Sequence, residues 1–161
     1  MKEFKLTGVS LGDMKMKNAI DVTFSESTLK KIHGSGTKVG AWKNGERDLE
    51  YNMDIKKVPA AISRFFSGGH LPVQCTQRVT KTDDSCHHVE NIVHMHNFGS
   101  RFVNVEPKFV LRKEKKEVFF DAQVKVNVWL MPPFNHITEA FMLKEAQKEV
   151  LKYAETVLDE L

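Results

Sequence analysis

The chain of 161 residues is 41% hydrophobic and 28% charged, a balance that suits one globular domain with a sizeable core and excludes a disordered polymer. Its formal net charge of +3 comes from 24 Lys and Arg against 21 Asp and Glu, too small an excess to argue for nucleic acid as the main partner. No stretch approaches the roughly 20 apolar residues that span a bilayer, and the charged start Met1-Lys2-Glu3-Phe4-Lys5 lacks the apolar run of a secretory leader.

Basic and acidic residues interleave, as in Arg112-Lys113-Glu114-Lys115-Lys116-Glu117, which reads as a solvated turn. The two cysteines, Cys75 and Cys86, have no metal or redox spacing, so free thiols in a reducing, cytoplasmic setting are expected. No repeat or linker divides the chain, and residues 1–161 are read as a single domain.

Phe4–Leu11 reads as a first strand or an ordered arm. Ala19–Phe24 alternates well enough to predict a strand. Ser25 offers an N-cap and Gly34 a stop, with Leu29 and Ile32 on one face between them, so a short helix follows. Asn44-Gly45 is a two-residue hairpin turn, because both residues tolerate positive φ, and it joins Lys38–Lys43 to Glu46–Ile55. In the second of these strands Leu49, Tyr51, Met53 and Ile55 share a face, and that period of two is what a half-buried antiparallel strand requires.

Val58–Phe66 breaks the alternation and reads as a helical turn opened by Pro59. Strands resume at Pro72–Thr80, with Val73, Cys75, Gln77 and Val79 on one side; Lys81–Cys86 reads as a polar turn. Val89–Phe98 is a mixed strand, and Phe102–Lys113 holds another with a bend near Pro107. Val118–Leu130 is the clearest strand, with Val118, Phe120, Ala122, Val124, Val126, Val128 and Leu130 at every even position until Pro132-Pro133 stops it. A helix from Asn135 or Ile137 to Glu160 carries Ile137, Ala140, Phe141, Leu143, Ala146, Val150, Leu151, Ala154, Val157, Leu158 and Leu161 at helical spacing. At 1.5 Å per residue it is roughly 35 Å long, enough to cross a sheet.

The expected fold is therefore α+β: a curved antiparallel sheet of about six to seven strands wrapping a long C-terminal helix, with short helices after the first strand. One straight helix cannot fill a strongly curved sheet, and the leftover volume suits an apolar ligand. This order of elements resembles the helix-grip fold of the START-like (SRPBCC) superfamily of lipid-transfer proteins, polyketide cyclases and plant allergens. Gly40-Ala41-Trp42, the run Arg47-Asp48-Leu49-Glu50-Tyr51 and Gln74-Cys75-Thr76-Gln77-Arg78-Val79 resemble the sterol-binding VASt domains, which carry a similar tryptophan, an Arg-x-Leu-x-Tyr strand and a later glutamine-bearing strand. VASt domains usually sit in larger membrane-anchored proteins, whereas this sequence shows neither companion domain nor anchor. What the resemblance implies is non-catalytic binding or transport of one small hydrophobic ligand, such as a sterol, fatty acid, phospholipid or pigment. The alternatives are a protein-interaction module with a filled core and a small cyclase or isomerase of the same fold.

The ligand-binding candidates are Leu49, Tyr51, Met53, Val73, Gln77, Asn91, Phe109, Phe120, Val124, Val126 and Phe141. For any one of the apolar members, plain core packing is the simpler account. Gln77 and Asn91 are more telling, because a buried amide needs a partner and a ligand hydroxyl or carboxylate could be one; Arg47 is weighed beside them, against an exposed strand end. His94 and His96 have the His-x-His spacing of a zinc site, with His87 and His88 in the turn before, but no Cys or carboxylate pair completes a set, and no metal or cofactor is expected. No Gly-x-Ser-x-Gly, phosphate loop or paired acid is present, so no catalytic residue is assigned; Tyr51, His94 or Asp121 could serve a cyclase-like pocket as acid or base. Phe65-Phe66-Ser67-Gly68-Gly69 reads as a mobile lid, or as a transient membrane contact beside Lys56 and Lys57, against two core phenylalanines at a helix end. A monomer is the default.

Overall fold

The computed structural model describes residues 1–55, 57–65, 70–95 and 102–161. In chain order its elements are β1 Lys2–Asp13, α1 Met16–Phe24, α2 Glu26–His33, β2 Lys38–Val39, β3 Glu46–Asp54, a 3-10 turn Ala60–Phe65, β4 His70–Thr82, β5 Cys86–Met95, β6 Val103–Glu114, β7 Glu117–Val128 and α3 Phe134–Glu160. The strands form one antiparallel sheet in the order β1-β7-β6-β5-β4-β3-β2. This is the helix-grip arrangement: a curved sheet closing on a long helix.

The sheet owes its faces to period-two burial. Along β7 every even residue from Val118 to Val128 is buried, while Phe119, Asp121, Gln123, Lys125 and Asn127 are only half-buried. Against β7 the edge strand β1 slips register twice, between Leu6 and Val9 and between Ser10 and Gly12. Such bulges bend a strand and raise its twist, which turns the edge toward the helix. On the outer face the Gly8 N–H donates to Asp121 Oδ1 at 2.7 Å, and Arg112 Nε reaches Asp121 Oδ2 at 2.7 Å.

The Asn44-Gly45 turn has φ of 54° and 76° at its two central residues, as a type I′ hairpin turn requires, and Lys43 and Glu46 exchange both backbone hydrogen bonds. β2 is much shorter than the Lys38–Lys43 strand expected, because only Lys38 and Val39 pair with Glu50 and Leu49. Ser25 caps α2, its Oγ accepting the Thr28 N–H at 3.1 Å, and the Gly34 N–H closes the other end on the Lys30 carbonyl at 2.8 Å.

Three further expectations are corrected. Ala19–Phe24 belongs to helix α1, not to a strand: Met16, Ala19, Thr23 and Phe24 are its buried residues, a spacing of three to four that outweighs the short alternation of Ile20, Val22 and Phe24. The polar turn is only Asp83–Ser85, because Asp83 Oδ1 accepts the N–H groups of Ser85 and Cys86 and lets β4 and β5 run up to it. β6 keeps unbroken register with β7 through Pro107, opposite Val124, so no bulge interrupts that ladder. Of the stripe expected on α3, Phe141, Ala146, Val150, Ala154 and Val157 are buried, but its edges differ: Thr138, Met142, Glu145 and Tyr153 are also buried, whereas Ala140, Leu151, Leu158 and Leu161 are exposed. Among the described residues no helix is long and apolar enough to cross a membrane.

Candidate functional site

Between the concave face of the sheet and α3 the core is interrupted by a cavity. The centre of a water-sized sphere can move through about 60 Å³ of it, within about 650 Å³ of atom-free space that includes its opening to solvent. Strands and helices reach it together because the inward positions of the strands alternate in phase. Of the residues singled out in the sequence, Leu49, Tyr51, Met53, Val73, Gln77, Asn91, Phe109 and Val124 line this space. Phe120 and Val126 are fully buried elsewhere in the core, and Phe141 is buried on α3 away from the cavity wall. Phe120 packs instead against Phe109 and Tyr153, with ring centres 5.9 and 5.5 Å away.

A polar row crosses the inner face. Arg47 on β3 is opposite Gln77 on β4, and Gln77 is opposite Asn91 on β5. Arg47 is not at an exposed strand end: it is 6% exposed, its Nε donates to Gln77 Oε1 at 2.7 Å, and its Nη2 donates to the Phe24 carbonyl at 2.7 Å. The Trp42 ring lies 4.4 Å from the guanidinium carbon. Trp42, Arg47 and Gln77 therefore form one bracket joining the first hairpin, β4 and the end of α1. At the other end of the row Asn91 Oδ1 is buried with no hydrogen-bond partner. Burial also pushes the Cys75 thiol, inside the same face, up to about 12, which makes it inert as a nucleophile.

Other residues that were not site candidates complete the wall, and three of them, His33, Glu149 and Tyr153, bring polar groups to it. His33 stacks on Tyr51 with ring centres 3.8 Å apart and planes 15° off parallel. His33 Nδ1 is 3.3 Å from Glu149 Oε2, within ion-pair distance but not aligned as a hydrogen bond. Burial is the main cause that raises the Tyr51 phenol far above its ordinary value, so Tyr51 stays protonated. Tyr153 donates to the Thr23 carbonyl at 2.6 Å, and burial raises its pKa too. A signal existed only for Tyr153, four residues before Val157 on the helix stripe; Glu149 falls off that stripe, and nothing in the pattern marks His33.

The remaining candidates are scattered. Asp121 faces outward in its pair with Arg112, and His94 is exposed on the outer face opposite Gln74, so neither can act inside the cavity. His87 is buried, bonded to Thr82 Oγ1 at 2.9 Å and packed on Phe24, while His88 is half-buried beside outer-face residues. His96, Lys56, Phe66 and Ser67-Gly68-Gly69, and with them the lid and the membrane contact, lie outside the described residues. Among the described residues no three His, Cys, Asp or Glu converge as metal ligands.

The sequence matches no family model and no curated protein. Solved structures do match in shape. The protein TTHA0849 of Thermus thermophilus superposes with a TM-score of 0.63 at 11% identity, over 99% of this chain and 96% of that one. The Zhui aromatase/cyclase of Streptomyces sp. R1128 gives 0.63 at 6% identity, over 99% and 91%. Human STARD10 gives 0.55 at 12% identity, over 97% of this chain and 62% of its own. At such identities the likeness is one of fold, and the chain has the helix-grip fold of these structures.

Proposed function

We propose that this protein, acting as a cytoplasmic monomer, binds and carries one small hydrophobic molecule between the sheet and α3, without catalysis. The single observation behind this reading is an apolar cavity left inside a core that is otherwise closely packed. Binding would come mainly from buried apolar area, at roughly 25 cal/mol per Å² before ordering terms. The size of the cavity favours a one- or two-ring molecule or the end of an acyl chain; a whole sterol would need the walls to move apart.

The test is native mass spectrometry of the purified protein with solvent extraction, beside a Val124→Trp variant. Val124 is 1% exposed and lines the cavity, so the larger ring fills the space, at an overpacking penalty of about 1–3 kcal/mol. A bound apolar molecule in the parent, absent from a folded Val124→Trp, is the expected result. Equal ligand content in both would rule the cavity out as the carrier site.

A second reading, proton transfer on a carbonyl compound, is favoured by His33 beside Glu149 and stacked on Tyr51 inside the cavity. Here His33 would remove a proton from the carbon next to the carbonyl and return one from solvent. Deuterium exchange of 2-tetralone, accelerated by the parent and not by His33→Ala, would carry it; equal rates would remove it.

A further inference from the structure

β5 and β6 pair from Cys86↔Arg112 to Glu90↔Lys108, and there the ladder stops. Both strands continue, β5 to Met95 and β6 from Val103, yet among the described residues none of this length pairs across the two. Each strand keeps its other neighbour: Asn91 stays opposite Gln77, and Pro107 stays opposite Val124. The sheet therefore splits between two intact halves. Pro107 stands where the split begins, and proline brings no N–H to a ladder. A Glu90–Lys108 ion pair at 3.4 Å marks the last closed position.

The residues at the split face both inside and outside. On the outer face it forms a cleft of about 210 Å³ between the two separated lengths of strand. Asn91, Val93, Val105 and Pro107 line both this cleft and the inner cavity. Asn91 is thus the polar group at the junction, and its Oδ1 is buried without a donor. Its neighbour along the row, Gln77, already uses Oε1 for Arg47. A buried acceptor left unpaired is a standing penalty on the fold, which a ligand's donor would relieve.

We infer that the ligand is an amphiphile: its apolar body lies against Leu49, Val73 and Phe109, and its hydroxyl or N–H end donates to Asn91 Oδ1 at the gap between β5 and β6. This rests on the carrier reading and narrows it to molecules with a donor at one end. An acceptor-only end, such as an ether or ester, leaves Asn91 unpaired and binds less well.

The experiment compares 2-naphthol with 2-methoxynaphthalene by calorimetry, on the parent and on Asn91→Leu. The parent should bind the naphthol about tenfold more tightly, the worth of one buried hydrogen bond. Asn91→Leu should lose that preference, with the ether bound as before. Should leucine disturb the sheet, as circular dichroism would reveal, Asn91→Ala serves the same comparison. Equal affinities in the parent, unchanged by either variant, overturn the Asn91 assignment and leave the carrier reading standing. Failure of the parent to bind either probe overturns both. Hydrogen exchange reads the gap itself: the amides of 91–95 and 103–106 that point into the split, rather than to β4 or β7, should exchange on the order of 100-fold faster than those of 86–90 and 108–112 that bridge β5 and β6, and equal protection would mean a closed sheet.

Discussion

Arg47 shows what a buried charge does when its partners are neutral. Its guanidinium is held by an amide, a backbone carbonyl and an indole face, and burial lowers its pKa from the usual arginine value. Removing it strands the Gln77 and Phe24 oxygens in the core. Arg47→Ala should therefore destabilise the fold by about 2–4 kcal/mol, read from urea unfolding. The double change Arg47→Met with Gln77→Leu removes donor and acceptor together and should recover part of that loss. If the double variant is as unstable as the sum of its singles, the bracket is not the cause. His87 gives a pH dependence. Burial lowers its pKa, with His88 adding to the effect, so the unfolded chain takes up a proton near pH 6.5 that the folded chain refuses. Its contribution is present at about pH 7.5 and fades as pH falls through about 6.5. Between about pH 7.5 and 5.5, His87→Gln should lose less stability than the parent; an identical loss would clear His87 of any role.

At the level of elements, the sequence disclosed what local chemistry controls. The Asn44-Gly45 turn, the Ser25 and Gly34 caps and the alternation of β7 were all readable, because each follows from a few adjacent residues. Gly45 sits at φ 76° with nothing nearer than the Val79 carbonyl, 3.9 Å from where a Cβ would stand. Gly45→Ala should thus cost about 1–2 kcal/mol through its backbone angle alone, measurable by thermal unfolding. An unchanged melting temperature would show that the hairpin turns another way. What failed to read out was long-range. Ile20, Val22 and Phe24 alternate like a strand, and only packing of Met16, Ala19 and Phe24 into the core selects the helical period. The edges of the α3 stripe differ for the same reason: Leu151 and Leu158 are apolar but exposed, while Glu145 is buried. His33 and Glu149 escaped notice because they come from two helices whose meeting no spacing announces. Gln77 and Asn91 were visible as amides on inward faces; the split that leaves one of them unpaired was not.

For the whole molecule, ligand and stability are one equilibrium. A molecule held in the cavity binds only the folded chain, so at about 100 times its dissociation constant it should add about 2.7 kcal/mol to folding. For a chain of this size that is a rise of roughly 5–10 °C in melting temperature. The rise should appear with 2-naphthol in the parent and vanish in Val124→Trp; a shift that survives in that variant would mean the probe binds elsewhere. The sheet order also bears on how the chain reaches this state. Among the described strands β1 pairs with β7 alone, Lys2 opposite Val126, so the earliest of these strands to be made is an edge whose partner is the latest of them. During synthesis, at about 5–20 residues per second, β1 must wait on the order of ten seconds for β7 to emerge. Over that interval Phe4, Leu6 and Val9 lack the β7 neighbours Val124, Ala122 and Phe120 that they face in the folded sheet.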